Sequence, residues 1–556
     1  MHFRLTRSLF YFFVCALSCV ASAREAAKSL PPQVDQINRR VQAVWTDFEI
    51  TPSKTATDEE FCRRLFLDIL GRIPTESEAQ QFAVSRDANK NAELVHELLY
   101  EKEYAQDYIR NWSTIWTNIL IGRTGGQERN SVTSRRGMQI YLRACFATNK
   151  PYDTMVHELI SATGDSSPNS ENFNGAVNFL CGKLDEKASQ ATAHTSRIFL
   201  GLQVQCTQCH NHPFNEWKQN QYWQMNSFFR QTVALRRFQS GTNDVSYVQL
   251  TDQDFAGEDR PLRPEEGRIF YELRNGKLEA AIPKFVDGTT INPSGYLSDI
   301  NRRAKLAALV TKSDLLPLAI ANRMWAHFLG YGFTKPIDDM GPHNAPSHPE
   351  LLDYLGREFR THSYDLKQLM SWIALSEAYS LSSRMTAENA MDDPTLGESP
   401  KFSHFYVRQM TAEQLYESLL VATRADAAGD KSNEKREQTR QEWLDQFSKA
   451  FGTDEGDEST TFDGTIPQTL MMFNGDLIKK ATDASRGSFL HSVLETDEKF
   501  TRKVNQLYLA AFSRMPTRQE RKSVEQLRQL SKWNEKDTLQ DLWWALLNSN
   551  EFILNH

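Results

Sequence analysis

The stretch VQCTQCHNHPF at residues 204–214 places Cys206, Cys209 and His210 in the spacing Cys-x-x-Cys-His, with a second imidazole at His212. Three chemistries fit these residue types. Two thiols three positions apart can add to the vinyl groups of a haem while His210 binds its iron, which is the attachment of a c-type haem. A bare zinc or iron ion is the alternative, because His194, Cys206, Cys209, His210 and His212 offer more N and S donors than the four that zinc takes. A disulfide between Cys206 and Cys209 is the third. All three remain open on the residues alone. For a haem, Met225, His194 and His212 are candidates for the distal position, and five-coordinate iron is equally allowed.

The elements on either side have to aim these groups. The apolar run SRIFLGLQVQC predicts a helix leading into the site. If that helix reaches Cys209, both thiols and the His210 imidazole share one face, since positions three and four apart are neighbours on a helix. Pro213 disfavours helical conformation at His212 and ends the element there. The following run EWKQNQYWQMNSFFR predicts a second helix with Tyr222, Met225 and Phe229 on one stripe.

The remaining cysteines carry less chemistry. Of the seven in the chain, Cys15 and Cys19 lie in a segment with a positive start at Arg4 and Arg7, an apolar core at 9–20 and a small-residue site at 21–23. That pattern predicts a secretory signal over 1–23, too short to span a bilayer comfortably. Five cysteines remain, an odd and sparse set that is no disulfide framework. Cys62 and Cys145 fall in apolar helical patterns and are expected to pack as small hydrophobes. The expectation is an exported chain, periplasmic or secreted, without a transmembrane anchor.

The chain has 556 residues, a net charge of −7 and 64 scattered basic residues. No basic patch points to nucleic acid. The pattern is mainly α: a helical domain at 34–235, a small β-containing insert at 236–300 and a second helical domain at 301–556. Thr57 and Glu60 form a capping box for FCRRLFLDIL, which Gly71 and Pro74 end. AELVHELLYEKEYAQDYIRNWSTIWTNIL and KPYDTMVHELISATG are further helical candidates. In the insert, GRIFYELRNGKLEAAIPKF predicts a hairpin turning at Asn275 and Gly276, amid irregular loops. LLPLAIANRMWAHFLGYG reads as a helix stopped by Gly330 and Gly332, and Ser347 with Glu350 predicts another capping box. The acidic loop at 452–464 lacks the spacing of a calcium loop at Asp454, Asp457 and Asp463. LFLDILGRIPTESE (65–78) is echoed by LYLAAFSRMPTRQE (507–520), which suggests one helical hairpin used twice.

In the second half Asn322, Arg323, His327, Asp338, Asp339, His343 and His348 are polar residues in apolar surroundings. They are expected to be structural, with Arg323 paired to Asp338 or Asp339, rather than a cleft for acid–base or metal chemistry. No phosphate loop, nucleophile elbow or zinc-protease helix is present. No catalytic residue is assigned, and whether the chain is an enzyme stays open.

GLQVQCTQCHNHPFNEWKQNQYWQMNSFF and FCRRLFLDILGRIPTESEAQQF resemble the second planctomycete-specific cytochrome-like domain, an exported domain of unknown function. ANRMWAHFLGYGFTKPIDDMGPHNAPSHPELLDYLGREF, LMSWIALSEAYSLSS, TAEQLYESLL and IPQTLMMFNGDLI resemble the PSD-type domain that usually follows it. The family name rests on the Cys-x-x-Cys-His, carried here by Cys206, Cys209 and His210, with His210 as the metal ligand. The expectation is a redox or electron-transfer role with haem c, served by a redox partner or an envelope component. A metal-dependent enzyme acting on extracellular polymers, using zinc or iron, and a non-catalytic envelope assembly protein are the alternatives.

Overall fold

Helix Asp58–Leu70 starts because Thr57 accepts the Glu60 amide while the Glu60 carboxylate accepts the Thr57 amide, and it stops at Gly71, whose φ is +70°. A left-handed stop of this kind suits glycine, which has no Cβ to clash. Here a Cβ would also meet Asn111 Oδ1 at 2.3 Å. In this computed structural model, which describes residues 30–556 apart from 214, 430–431 and 452–474, most elements are helices. The expected signal at 1–23 and the acidic loop at 452–464 lie outside the described residues. No helix among those described is long and apolar enough to cross a membrane.

Two expected helices differ from their prediction. The long candidate that begins at Ala92 divides into Lys90–Tyr100 and Ala105–Ile121. The capping box expected from Ser347 and Glu350 does not form. Pro349 takes the first helical position, so His348 becomes the cap and makes no side-chain cap bond.

The β-containing region holds more order than the irregular loops expected around its hairpin. The hairpin pairs Ile269–Glu272 with Leu278–Ala281, and Gly276 turns at φ +78°. Before it, Thr232–Phe238 and Val245–Asp252 form an antiparallel pair, extended on the far side by Gly164–Asp165.

Buried apolar side chains form two clusters. The larger runs from Ile37 to Tyr406, so it crosses from the first half of the chain into the second. The smaller gathers residues 410–552 with Leu67 and Ile73. Helix Asp58–Leu70 serves both, with Leu65, Phe66 and Ile69 in one and Leu67 in the other.

Between the clusters, fully buried Asp68 ties four distant segments together. Its carboxylate accepts from Tyr379 Oη at 2.8 Å, from Asn555 Nδ2 at 2.9 Å and from Arg408, while its backbone oxygen lies 2.9 Å from His327 Nε2. Arg63 donates to the carbonyls of Ala511 and Phe552, both at 2.8 Å. Burial of its guanidinium pushes its pKa down to about 10.

The sequence echo is a structural one. Gly71 and Ser513 both end helices at positive φ, and Thr75 and Thr517 both open the next helix with a capping box. In each copy an arginine grips the box glutamate and a second acid. Arg72 holds Glu78 at 2.9 Å and Asp107 at 2.7 Å, and Arg514 holds Glu520 at 2.7 Å and Glu551 at 2.6 Å.

Candidate functional site: the CTQCH loop

The helix expected to run into the cysteines does not reach them. Asp185–Leu200 ends at Gly201, which turns left-handed at φ +65°, and the chain continues without regular structure into a short 3-10 turn, Gln205–Gln208. A Cβ on residue 201 would meet Met340 Sδ at 2.7 Å, so the bend and its close neighbour both require glycine. The shared helical face expected for Cys206, Cys209 and His210 is therefore replaced by a surface loop in which both thiols are exposed and unpaired.

That loop is fixed by the helix Gln219–Asn226 on its other side. The Gln208 carbonyl accepts two bonds, from Gln219 Nε2 at 3.2 Å and Trp223 Nε1 at 3.1 Å. Asn211 Oδ1 accepts the Gln219 amide at 3.0 Å, at the start of that helix. The His212 amide donates to the Trp217 carbonyl at 2.8 Å, and Asn215 Oδ1 accepts the Trp217 amide at 3.0 Å. Asn211, His212 and Asn215 thus each satisfy a backbone amide with a side-chain atom.

These bonds also settle the two imidazoles. His210 Nδ1 lies 2.6 Å from the Asn211 carbonyl, which can only accept, so in the neutral ring Nδ1 carries the proton and Nε2 keeps its lone pair. His212 Nδ1 accepts the Asn215 amide at 3.1 Å, so in the neutral ring the proton is on Nε2. Two histidines two positions apart hold opposite tautomers. A metal takes a bare ring nitrogen whose orientation the other nitrogen fixes. His210 meets that description.

Deeper in the structure, three residues of the helix Gln219–Asn226 and the turn after it behave as the stripe predicted. Tyr222, Met225 and Phe229 are all buried in the larger core. The helix is braced against an unusual backbone, three successive left-handed residues at Glu186, Lys187 and Ala188. Non-glycine residues in this region cost roughly 1–2 kcal/mol each. Asn226 Nδ2 holds the Lys187 carbonyl at 2.8 Å, and Tyr222 Oη holds that of Ser189 at 3.1 Å. His194, in the helix Asp185–Leu200, is half-buried. Burial, with the Lys183 and Arg197 cations nearby, lowers its pKa to about 3, and its Nδ1 has no hydrogen-bond partner.

The second-half candidates divide in two. Asn322, His327 and His348 lie in the interior. Asn322 donates to Thr334 Oγ1 and the Ile337 carbonyl, both at 2.8 Å, and accepts the Phe333 amide at 2.6 Å. The His327 ring lies 4.9 Å from that of Trp112, tilted by 53°, and burial lowers its pKa. His348, 2% exposed, is lowered to about 4 by burial. Arg323 is buried as well. Asp338, Asp339 and His343, by contrast, come to the cysteine loop. Asp338 Oδ1 accepts Gln203 Nε2 at 2.7 Å, and its other oxygen lies 3.6 Å from Arg197 Nε. The Met340 amide donates to the Gly201 carbonyl at 2.7 Å. The His343 ring lies 6.1 Å from that of His212, with its Nε2 3.0 Å from Asp339 Oδ2. Gln203 and Gln208 were not singled out in the sequence. A glutamine on each side of Cys206 is a signal only once the partners across the fold are known.

Cys62, Cys145 and Cys181 are buried, as the apolar patterns around the first two predict. Burial pushes the thiols of Cys145 and Cys181 up to about 11 and about 12. Thiolates are the reactive and ligating form, so these three are inert and chemistry at sulfur belongs to Cys206 and Cys209. Among the described residues no group of three or more His, Cys, Asp or Glu side chains is placed to hold a metal ion. CTQCH offers two exposed thiols and an imidazole whose Nδ1 faces a carbonyl, the residue types that would hold a covalently attached haem.

Fold and loop together define a mainly helical protein with a surface Cys-x-x-Cys-His loop clasped from both halves of its chain. The family models divide at the same two halves. PSCyt2, described as a protein of unknown function (DUF1549), matches residues 36–234, and PSD1, a protein of unknown function (DUF1553), matches 302–528. The chain belongs to the proteins that carry these two regions in this order. No curated protein and no solved structure matches it.

Proposed function

We propose that this is an exported redox protein whose CTQCH loop carries one covalently attached c-type haem. Cys206 and Cys209 would hold the group through two thioether links, and His210 would bind its iron through Nε2. Bound there, the group supplies one-electron transfer. The chain's own residues do the positioning: Gln219 and Trp223 hold the loop by the Gln208 carbonyl, and the Asn211 carbonyl orients the imidazole. The exposed position of both cysteines suits exchange with a partner at the surface, either a redox protein or an envelope component. Export is consistent with the signal-like residues 1–23, because haem of this kind is attached outside the cytoplasm.

One observation carries the reading. His210 Nδ1 is committed to a carbonyl at 2.6 Å beside two unpaired, exposed thiols. The test is to express the chain with residues 1–23 in a host that matures c-type cytochromes, and to record the visible spectrum after denaturation. A haem band that survives denaturation and is lost in the double variant Cys206→Ala, Cys209→Ala is expected. A colourless protein with one equivalent of zinc or iron removed by those substitutions would replace the haem with a bare ion. A colourless, metal-free protein would leave the loop a structural role.

A further inference from the structure

The two family regions meet at the cysteine loop. From the first come Arg197, Gly201 and Gln203, and from the second come Asp338, Met340 and His343. Asp338 is 4% exposed, yet its carboxylate accepts from Gln203, three residues before Cys206, and lies beside Arg197 at the end of the preceding helix. Two residues on, the Met340 amide closes on the carbonyl of Gly201, at the bend where that helix stops. The second region's segment is itself stiff. The Asn344 amide donates to the Gly341 carbonyl at 2.9 Å, and Asn344 Nδ2 donates to the Asp339 carbonyl at 2.7 Å. A Cβ at Gly341 would strike the His343 ring at 2.5 Å, so the glycine lets that ring fold back over its own loop toward Asp339.

We infer that residues 338–344 of the PSD1 region are part of the CTQCH site, with Asp338 as its positioning residue. Asp338 acts through Gln203 and Arg197, fixing the irregular stretch that leads to Cys206. The Asp339 and His343 pair forms a polar wall beside His212. A chain of the first region alone would keep the bonds from helix Gln219–Asn226 but lose those that hold Gly201 and Gln203, just before Cys206, which gives the ordered pair of regions a physical reason. This assignment takes CTQCH to be the working site, as the haem reading does, but its test uses haem-free protein, so the two fail separately.

The test uses the full chain, reduced and without haem, in four forms: wild type, Asp338→Ala, Gln203→Leu and the double variant. Hydrogen exchange of peptides covering 201–212 is expected to rise about tenfold in each single variant, as follows from losing one buried hydrogen bond to a charged group. The double variant should match Asp338→Ala, because both substitutions remove the same bond. Peptides from helix Asp58–Leu70 should not change. The second readout is the equilibrium between the Cys206 and Cys209 thiols and their disulfide in a glutathione buffer. On this assignment the Gln203–Asp338 bond favours the loop shape that carries two free thiols, so both single variants should shift this equilibrium toward the disulfide by threefold or more. Asp338→Asn, which keeps an oxygen for Gln203, should sit nearer wild type than Asp338→Ala in both readouts. Unchanged exchange at 201–212, additive single effects, a uniform rise over the whole chain or an unmoved thiol equilibrium would each overturn the assignment.

Discussion

The Asp68 hub and the CTQCH loop both join segments far apart in the chain, and they do it by opposite means. Around Asp68 the partners are buried and charged: a fully enclosed carboxylate meets an arginine, a tyrosine and an asparagine, with a second buried arginine one turn earlier. Around CTQCH the bonds at Gln208 and His210 run to backbone carbonyls, the buried Asp338 carboxylate reaches Gln203 and Arg197 upstream, and the sulfurs that could react are left in solvent. A buried ion network is costly to form and costlier to leave half made. A loop held by its carbonyls can expose its side chains without such a penalty. The first arrangement suits holding the two cores together, and the second suits presenting chemistry.

The contrast can be broken at the hub first. Asp68→Ala leaves Arg408, Tyr379 and Asn555 without their shared acceptor and should destabilise the chain by roughly 3–5 kcal/mol, measured from urea unfolding. Next is acid. Burial keeps His348 neutral in the folded chain down to about pH 4, against an ordinary 6.5. The unfolded chain therefore takes up a proton first, and stability present above pH 6.5 is lost as the pH falls toward 4. His348→Phe, set among Phe333 and Phe402, should flatten that dependence by roughly 2–3 kcal/mol between pH 7 and 4.5, read from paired urea midpoints. The two arginine forks give a finer scale. The Arg72 side chain is 8% exposed and that of Arg514 26%. Arg72→Ala should cost about 2 kcal/mol and Arg514→Ala about 1 kcal/mol, after discounting the second for solvent screening. Smallest is the loop itself. Cys206→Ser with Cys209→Ser should leave stability within about 0.5 kcal/mol of wild type, while thiol titration of the folded chain falls to the background set by the three buried cysteines. A large loss of stability there would place the loop with the hub.

Much of the fold was legible because its signals are local. The Thr57 and Glu60 box, the stop at Gly71, the turn at Gly276 and the doubled hairpin at 65–78 and 507–520 each depend on residues a few positions apart. Legibility failed where tertiary contacts or a stronger local rule won. Gly201 interrupts an apolar run that otherwise reads as one helix to Cys209, and the space that demands it is set by Met340. Pro349 displaced the box expected at Ser347. The site was half visible. Cys206, Cys209 and His210 announce themselves by spacing, and Asp338, Asp339 and His343 stood out as polar residues. That the two groups meet depends on a bond across 135 positions, which no periodicity encodes.

The opposite tautomers of His210 and His212 give two otherwise similar side chains separate chemical characters. An electrophile such as diethyl pyrocarbonate attacks a nitrogen lone pair. In the neutral protein His210 offers one on Nε2, while the lone pair of His212 is already engaged by the Asn215 amide. Acylation should therefore mark one imidazole of the pair well before the other, and the order is written by two backbone groups rather than by the rings themselves.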